Sequence, residues 1–345
     1  MNKKRTLATV IVLAVLCLLI YFQVRTWRRF DWAAFWNQTH HIHWIGIAGG
    51  IGFTYLTVYL RAVRWRIFLK PIRKTTAKAL LGPQFVGFTA LALLGRAGEV
   101  VRPYLIAKKE NVTLTSQLGV WTVERIFDMG AFAVLLSLSF LSPDLRSLAF
   151  YGRLRLAAVA LLVLIAGLVI AALALHQAGG RIANSLASLF ANFAPRFAHH
   201  LREKLLAFSE GLQTIHDVSS AVQLTAISIV IWVVVALAYI SITHAYPSPI
   251  GDLSLPQIII LMGSSMVGSL LQLPAVGGGS QLAAISMLHA GFGASEELSV
   301  SCGMLIWVCT FMSVIPVGLA LAHRERLSLR AVAAAEEKEE ATLAE

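Results

Sequence analysis

Apolar stretches long enough to cross a lipid bilayer recur along the chain, near residues 7–24, 43–62, 118–141, 156–176, 223–245 and 299–322. A helix traverses a hydrocarbon core of about 30 Å with about 20 apolar residues, so each stretch predicts a full membrane span. Two further apolar regions, 79–95 and 256–273, are interrupted by glycine or proline. Each leads into a Gly-rich turn and a second short piece, which predicts re-entrant hairpins over residues 79–110 and 256–291. Irregular backbone survives at membrane depth only where protein buries it or a cavity reaches it.

The order of these pieces predicts a repeat. Val86-Gly87 lies 181 residues before Val267-Gly268. Spans at 43–62 and 118–141 flank the first hairpin as spans at 223–245 and 299–322 flank the second. The expected fold is therefore an all-α polytopic membrane protein with about six full spans and two inverted repeats, each built around a broken hairpin. The expected boundaries are residues 1–30 for an N-terminal transmembrane anchor and 31–177 for the first unit. A cytoplasmic amphipathic connector over 178–221, a second unit over 222–325 and an acidic cytoplasmic tail over 326–345 follow. In the connector, Leu186, Phe190, Phe193, Phe197, Leu201 and Leu205 recur at steps of three and four, with Arg196, His199, His200 and Lys204 between them. That period predicts amphipathic helices, bent near Pro195, at the level of the lipid headgroups.

Composition agrees with a membrane protein. The chain of 345 residues is 57% hydrophobic and only 14% charged, where a soluble domain carries about a quarter charged residues. Its net charge of +11 fits basic loops against anionic headgroups. No nucleic-acid-binding motif accompanies the charge, so nucleic acid is not an expected partner. Lys3, Lys4 and Arg5, the run Arg61, Arg64, Arg66, Lys70, Arg73, Lys74 and Lys78, and the pair Lys108 and Lys109 fall on one side if both termini are cytoplasmic. The bias of basic residues to the inner side favours that orientation in a cell membrane. Cys17, Cys302 and Cys309 all sit in apolar runs and read as packing residues. His40, His41 and His43 stand among Trp32, Trp36 and Trp44, which fits an interfacial belt better than a metal site. No phosphate-binding Walker loop, nucleophile elbow or HExxH appears, so no cofactor or metal is expected.

The candidate chemistry lies where charge interrupts the apolar pattern. A charge at the centre of a membrane helix costs about 2.5–3.5 kcal/mol on insertion scales, so such residues should face one another or a wet cavity. The first cluster is Gly95-Arg96-Ala97-Gly98-Glu99-Val100-Val101-Arg102. A short helix opening at Gly98-Glu99, with Arg96 and Arg102 beside it, would suit a phosphate. The second cluster is Glu124-Arg125-Ile126-Phe127-Asp128. Here Arg125 is expected to pair with Asp128 on its own helix or with Glu99 across the fold. A buried brace and a substrate contact both fit these residues. The third is Gly277-Gly278-Gly279-Ser280-Gln281, where glycines allow close backbone approach and Gln281 can bond a polar headgroup.

Gly95-Arg96-x-Gly98-Glu99-x-x-Arg102, followed by Glu124-Arg125-x-x-Asp128, resembles the lysylphosphatidylglycerol synthase transmembrane region family, also described as flippase-like. The resemblance covers roughly residues 10 to 325. It implies an integral membrane protein that binds or translocates lipid, often lipid with an anionic or sugar-bearing headgroup. Arg96, Glu99, Arg102, Arg125 and Asp128 match the pattern of the family's first unit. The second unit departs from it: Gln281 stands where a glutamate is common, and Trp307 where an arginine is common. No soluble aminoacyl-transferase region follows, so lipid aminoacylation is not expected.

The expected function is a flippase or transporter moving an anionic phospholipid or polyprenyl-phosphate-type lipid between leaflets. Its expected binding residues are Arg96, Gly98, Glu99, Arg102, Arg125, Asp128, Gly277, Gly278, Gly279 and Gln281. The expected partner is a membrane lipid with a phosphate headgroup, with a second copy of the chain or a lipid-synthesis enzyme as further candidates. Two alternatives stay open. One is an intramembrane enzyme acting on lipid-linked sugar with Glu99 and Asp128 as acid and base. The other is a lipid-binding scaffold that transports nothing.

Overall fold

Thr54, Thr57, Arg61 and Arg64 recur at steps of three and four, which puts them on one face of a helix. They occur within α1 (Trp44–Leu69), a helix of 26 residues. The computed structural model describes residues 42–147, 151–191, 218–273 and 277–324, with positions 33, 36, 39, 40 and 202. The expected anchor over 1–30, the Pro195 bend and the 326–345 tail lie outside the described residues.

After α1 come α2 (Ala77–Leu94), a 3-10 turn over Gly95–Val100, and the short α3 (Val101–Glu110). Then follow α4 (Leu114–Ser139), α5 (Tyr151–Ala191) and α6 (Val218–Thr243). The last part holds α7 (Leu255–Gly268), α8 (Gly279–Ser286), α9 (Glu296–Thr310) and α10 (Ile315–Arg324). The two-residue strands β1 (Gln272–Leu273) and β2 (Gly277–Gly278) pair antiparallel in the second hairpin. Four helical stretches among the described residues are long and apolar enough to cross a membrane: Trp44–Leu69, Ala77–Leu94, Ser219–Thr243 and Glu296–His323. The fold is that of an all-α, multi-pass membrane protein.

Local sequence explains the helix ends. Thr76 and Thr113 accept from the backbone N–H groups of Ala79 and Ser116, capping α2 and α4. Gly95, at φ 67°, ends α2 in a conformation that a Cβ disfavours. Ser295 accepts from Leu298 N–H at the start of α9, where Glu296 and Glu297 complement the helix dipole.

Several elements differ from expectation. The 79–95 region is not broken at Gly82-Pro83, because α2 runs through both residues. The expected span at 299–322 is broken instead, by a 3-10 turn over Met312–Val314. Pro316 removes the N–H that would continue the helix to Met312, which accounts for a break there. No helix opens at Gly98-Glu99, since the 3-10 turn continues into α3 at Val101. α5 has 41 residues and passes position 178 without interruption. At 1.5 Å per residue it is about 60 Å long, about twice the hydrocarbon core. Arg61 and Arg64, grouped above with the cytoplasmic charges, are inside α1, and Arg64 is fully buried.

The two hairpins share a packing contact. A Cβ added at Gly87 would lie 2.5 Å from the Arg102 Cβ, and one added at Gly268 would lie 2.6 Å from the Ala283 Cβ. Both contacts are shifted by the same 181 residues (268 − 87 and 283 − 102).

Gly98 makes the closest approach in the first hairpin. A Cβ there would stand 2.2 Å from the Ala90 carbonyl oxygen and 2.6 Å from the Leu91 nitrogen, and backbone cannot step aside as a side chain can. Gly98→Ala is expected to destabilise the protein by about 1–3 kcal/mol, the usual range for overpacking. Gly52, in α1, has open space around its Cβ position, so Gly52→Ala is expected to cost nothing. Thermal unfolding of the two variants in detergent checks the contrast.

Candidate functional site

Glu124 and Asp128 lie one turn apart on the face of α4 that meets the polar stripe of α1. Arg64 clamps both: its Nη2 donates to Glu124 Oε1 at 2.6 Å and its Nη1 to Asp128 Oδ1 at 2.7 Å. Arg64 Nη1 also reaches Ser228 Oγ on α6 at 2.9 Å, so one guanidinium ties three helices together. Arg61 Nη1 donates to the other Asp128 oxygen at 2.9 Å and stands 3.7 Å from Glu124. From the short helix α3, Arg102 pairs with Glu124 through Nη2 and donates through Nη1 to Gln84 Oε1 on α2 at 3.3 Å.

Aromatic rings complete this setting. The Arg102 guanidinium lies 5.4 Å from the Trp65 ring centre and 5.5 Å from that of Phe88. Arg61 lies 5.5 Å from the same Phe88 ring. Ring faces attract cations most when water is excluded, and these groups are nearly all buried. Such charges need near-complete pairing, because removing one partner leaves the other in a low-dielectric interior.

Arg125 differs. It is close enough to interact with Glu124, Asp128 and Arg102. Yet among the described residues it belongs to no ion pair, and its buried Nε has no hydrogen-bond partner. Its guanidinium lies 5.6 Å from the Trp121 ring centre and lines a cavity of about 230 Å³. The first half of the chain supplies that cavity with Thr54, Thr57, Arg61, Phe88 and Glu99 as well. The second half supplies Trp232, Tyr239, Met262, Ser265, Ser269 and Thr310. The Thr57 hydroxyl is also buried without a partner.

The structure brings Glu99, Arg102, Arg125 and Asp128 into one region, though in different roles. Glu99 and Arg125 line the cavity. Arg102 and Asp128 are buried in the ion-pair lattice behind it. The expected Arg125–Asp128 pair is replaced by the pairs of Asp128 with Arg61 and Arg64, whose α1 stripe reaches the carboxylate first. Gly98 serves a packing contact with α2. The Arg96 side chain lies outside the described ones. Among the described cavity-lining residues, Gly278, Gly279 and Gln281 do not occur. Gln281 accepts from the Gly278 N–H at 2.8 Å, an intrahairpin cap that uses its amide oxygen. Arg61, Arg64, Ser265 and Thr310, outside the expected binding residues, also belong to the lattice or line the cavity. The Thr54–Thr57–Arg61–Arg64 spacing carried the signal for the first two, since apolar residues continue past 62 to Leu69.

Removing one carboxylate tests the division into lattice and free arginine. Glu124→Gln leaves Arg64 and Arg102 short of a buried counter-charge and is expected to cost about 3–5 kcal/mol. Arg125→Ala breaks no ion pair among the described residues and is expected to cost about 1 kcal/mol or less. Unfolding in mixed micelles distinguishes them, and equal losses would contradict the assignment.

The family model of the lysylphosphatidylglycerol synthase TM region matches residues 7–318. No curated protein and no solved structure matches the chain. The match covers most of the 345 residues and includes both hairpins and every residue of the ion-pair lattice. This multi-pass membrane protein therefore belongs to the lysylphosphatidylglycerol synthase TM region family.

Proposed function

We propose that the protein moves an anionic lipid, a phospholipid or a polyprenyl-phosphate-type lipid, between the leaflets of the cell membrane. The observation that carries this reading is Arg125: a guanidinium with no ion pair among the described residues, beside a cavity lined by both halves of the chain. A phosphate is the natural complement, because a guanidinium fork matches its oxygens with two parallel hydrogen bonds. Arg61 lines the same cavity and supplies the second cation. The cavity holds a headgroup rather than a whole lipid, so the acyl chains stay among apolar side chains or in the bilayer.

The lattice of Arg64, Arg102, Glu124 and Asp128 has a supporting part. It fixes α1, α3 and α4 around the site and neutralises the charges that are not offered to the ligand. Broken helices at the last span and at the second hairpin supply backbone that can rearrange as access alternates. Five exposed basic residues between Arg66 and Lys78 support a cytoplasmic position for that end of α1, even with Arg61 and Arg64 withdrawn from the count. An acid–base role for Asp128 is disfavoured, since both its oxygens already accept from arginines.

Lipid exchange between leaflets of reconstituted vesicles tests the reading. Losing a hydrogen bond to a charged group costs about 1.5–3 kcal/mol, so Arg125→Ala is expected to slow anionic-lipid movement by about 10- to 100-fold. Arg61→Ala is expected to act in the same direction. If Arg125→Ala moves every lipid as fast as wild type, the cavity is not the route.

A further inference from the structure

A second polar feature lies away from the cavity, where α1, α2 and α3 come together at one end of the fold. Arg66, Lys70, Arg73 and Lys74 at the end of α1, Lys78 in the first turn of α2 and Lys108 in the last turn of α3 are all exposed. Thr75 Oγ1 donates to Glu110 Oε1 at 2.8 Å, and this bond holds the α1–α2 link against the end of α3. The two basic stretches therefore form one patch. Glu110 is buried, and among the described residues none of these cations belongs to an ion pair. None of them lines the cavity. Asp252 and Glu296 are exposed but stand at the opposite end of α1, where His43 N–H donates to Ala245 O and Tyr246 bonds Ser301.

The last helix delivers the chain to this patch. Thr89 Oγ1 donates to Val314 O at 3.3 Å, Gly318 packs on Phe85 and Thr89, and Leu321 joins the cluster of Leu81 and Phe85. α10 thus runs antiparallel to α2, toward the start of α2, and Ala322 shares a cluster with Leu105 of α3. The sequence beyond it carries Glu336-Glu337-Lys338-Glu339-Glu340, four carboxylates in five positions. From Ala322 to Glu336 the chain reaches about 20 Å even as a helix, at 1.5 Å per residue, and Lys108 is one turn from Leu105. We propose that the acidic segment 336–340 docks on the basic patch. Exposed ion pairs are weak singly, and here several act together. Docked there, the segment ties α10 to the ends of α1 and α3, the helices that bring Arg64 and Arg102 to the lattice.

Zero-length cross-linking tests the docking. The full chain is placed, one copy per disc, in bilayer discs of phosphatidylcholine and treated with a carbodiimide, which joins a lysine amine to a carboxylate in contact with it. Peptide mass spectrometry is expected to find Glu336, Glu337, Glu339 or Glu340 joined to Lys74, Lys78 or Lys108. Raising NaCl from 0.01 to 1 M shortens the screening length from about 30 Å to about 3 Å and is expected to cut the yield about 5-fold. Arg66→Gln/Arg73→Gln weakens the patch but leaves its reactive lysines, and is expected to cut the yield about 3-fold. Both arginines are exposed, so the variant keeps the fold. Absence of these links in wild type would overturn the docking and leave the patch to anionic headgroups. Links from Glu203, Glu210 or Asp217 in place of the tail would overturn the choice of segment. A yield insensitive to salt or to the arginine substitutions would mean nearness without charge recognition, and the proposal would fall.

Discussion

Arg64 sits with no solvent exposure between two carboxylates one helical turn apart, and the rest of the structure depends on that clamp. A charge in a low-dielectric interior must be matched by geometry as well as by sign. Arg64 has the shape for this: its two terminal nitrogens reach Glu124 and Asp128 separately, and one also reaches Ser228. α1, α4 and α6 are held in one relative position as a result. Arg102 brings α3, and through Gln84 α2, to the same carboxylate. A lysine at either site would offer a point charge and lose the fork that joins several helices.

The proposed function rests on what stands beside this lattice. By itself the lattice is a brace with no reason to bind anything. Arg125, left outside the ion pairs, changes that. It stands one residue from Glu124 on α4, yet faces the cavity while Glu124 faces the lattice. One helix thus separates a structural face from a ligand-facing one. The opposite wall is built from α6, α7 and the broken last span, and it is neutral and rich in hydroxyls.

Much of this was legible in the residues. Apolar length placed α1, α6 and the last span within a few residues of their observed positions. The 181-residue offset relates two close packing contacts, Gly87–Arg102 and Gly268–Ala283. What escaped were judgements that depend on a partner. Arg61 and Arg64 looked like a basic loop because five more basic residues follow them, and only the carboxylates of α4 reveal that they are internal. The pairing of Arg125 with Asp128 was plausible by helical spacing, but spacing on one helix cannot show that another helix supplies a nearer cation. Ser265 and Thr310 were invisible as site residues, because serine and threonine in membrane helices bond their own backbone whether or not a cavity lies beside them.

The central claim is that Arg125, which has no ion pair among the described residues, receives a lipid phosphate inside the protein. An experimental structure in a bilayer disc containing anionic phospholipid tests it most directly. The account predicts phosphate density within hydrogen-bond distance of Arg125 and Arg61. Acyl chain or water filling that space, with every phosphate at the bilayer surface, would contradict it.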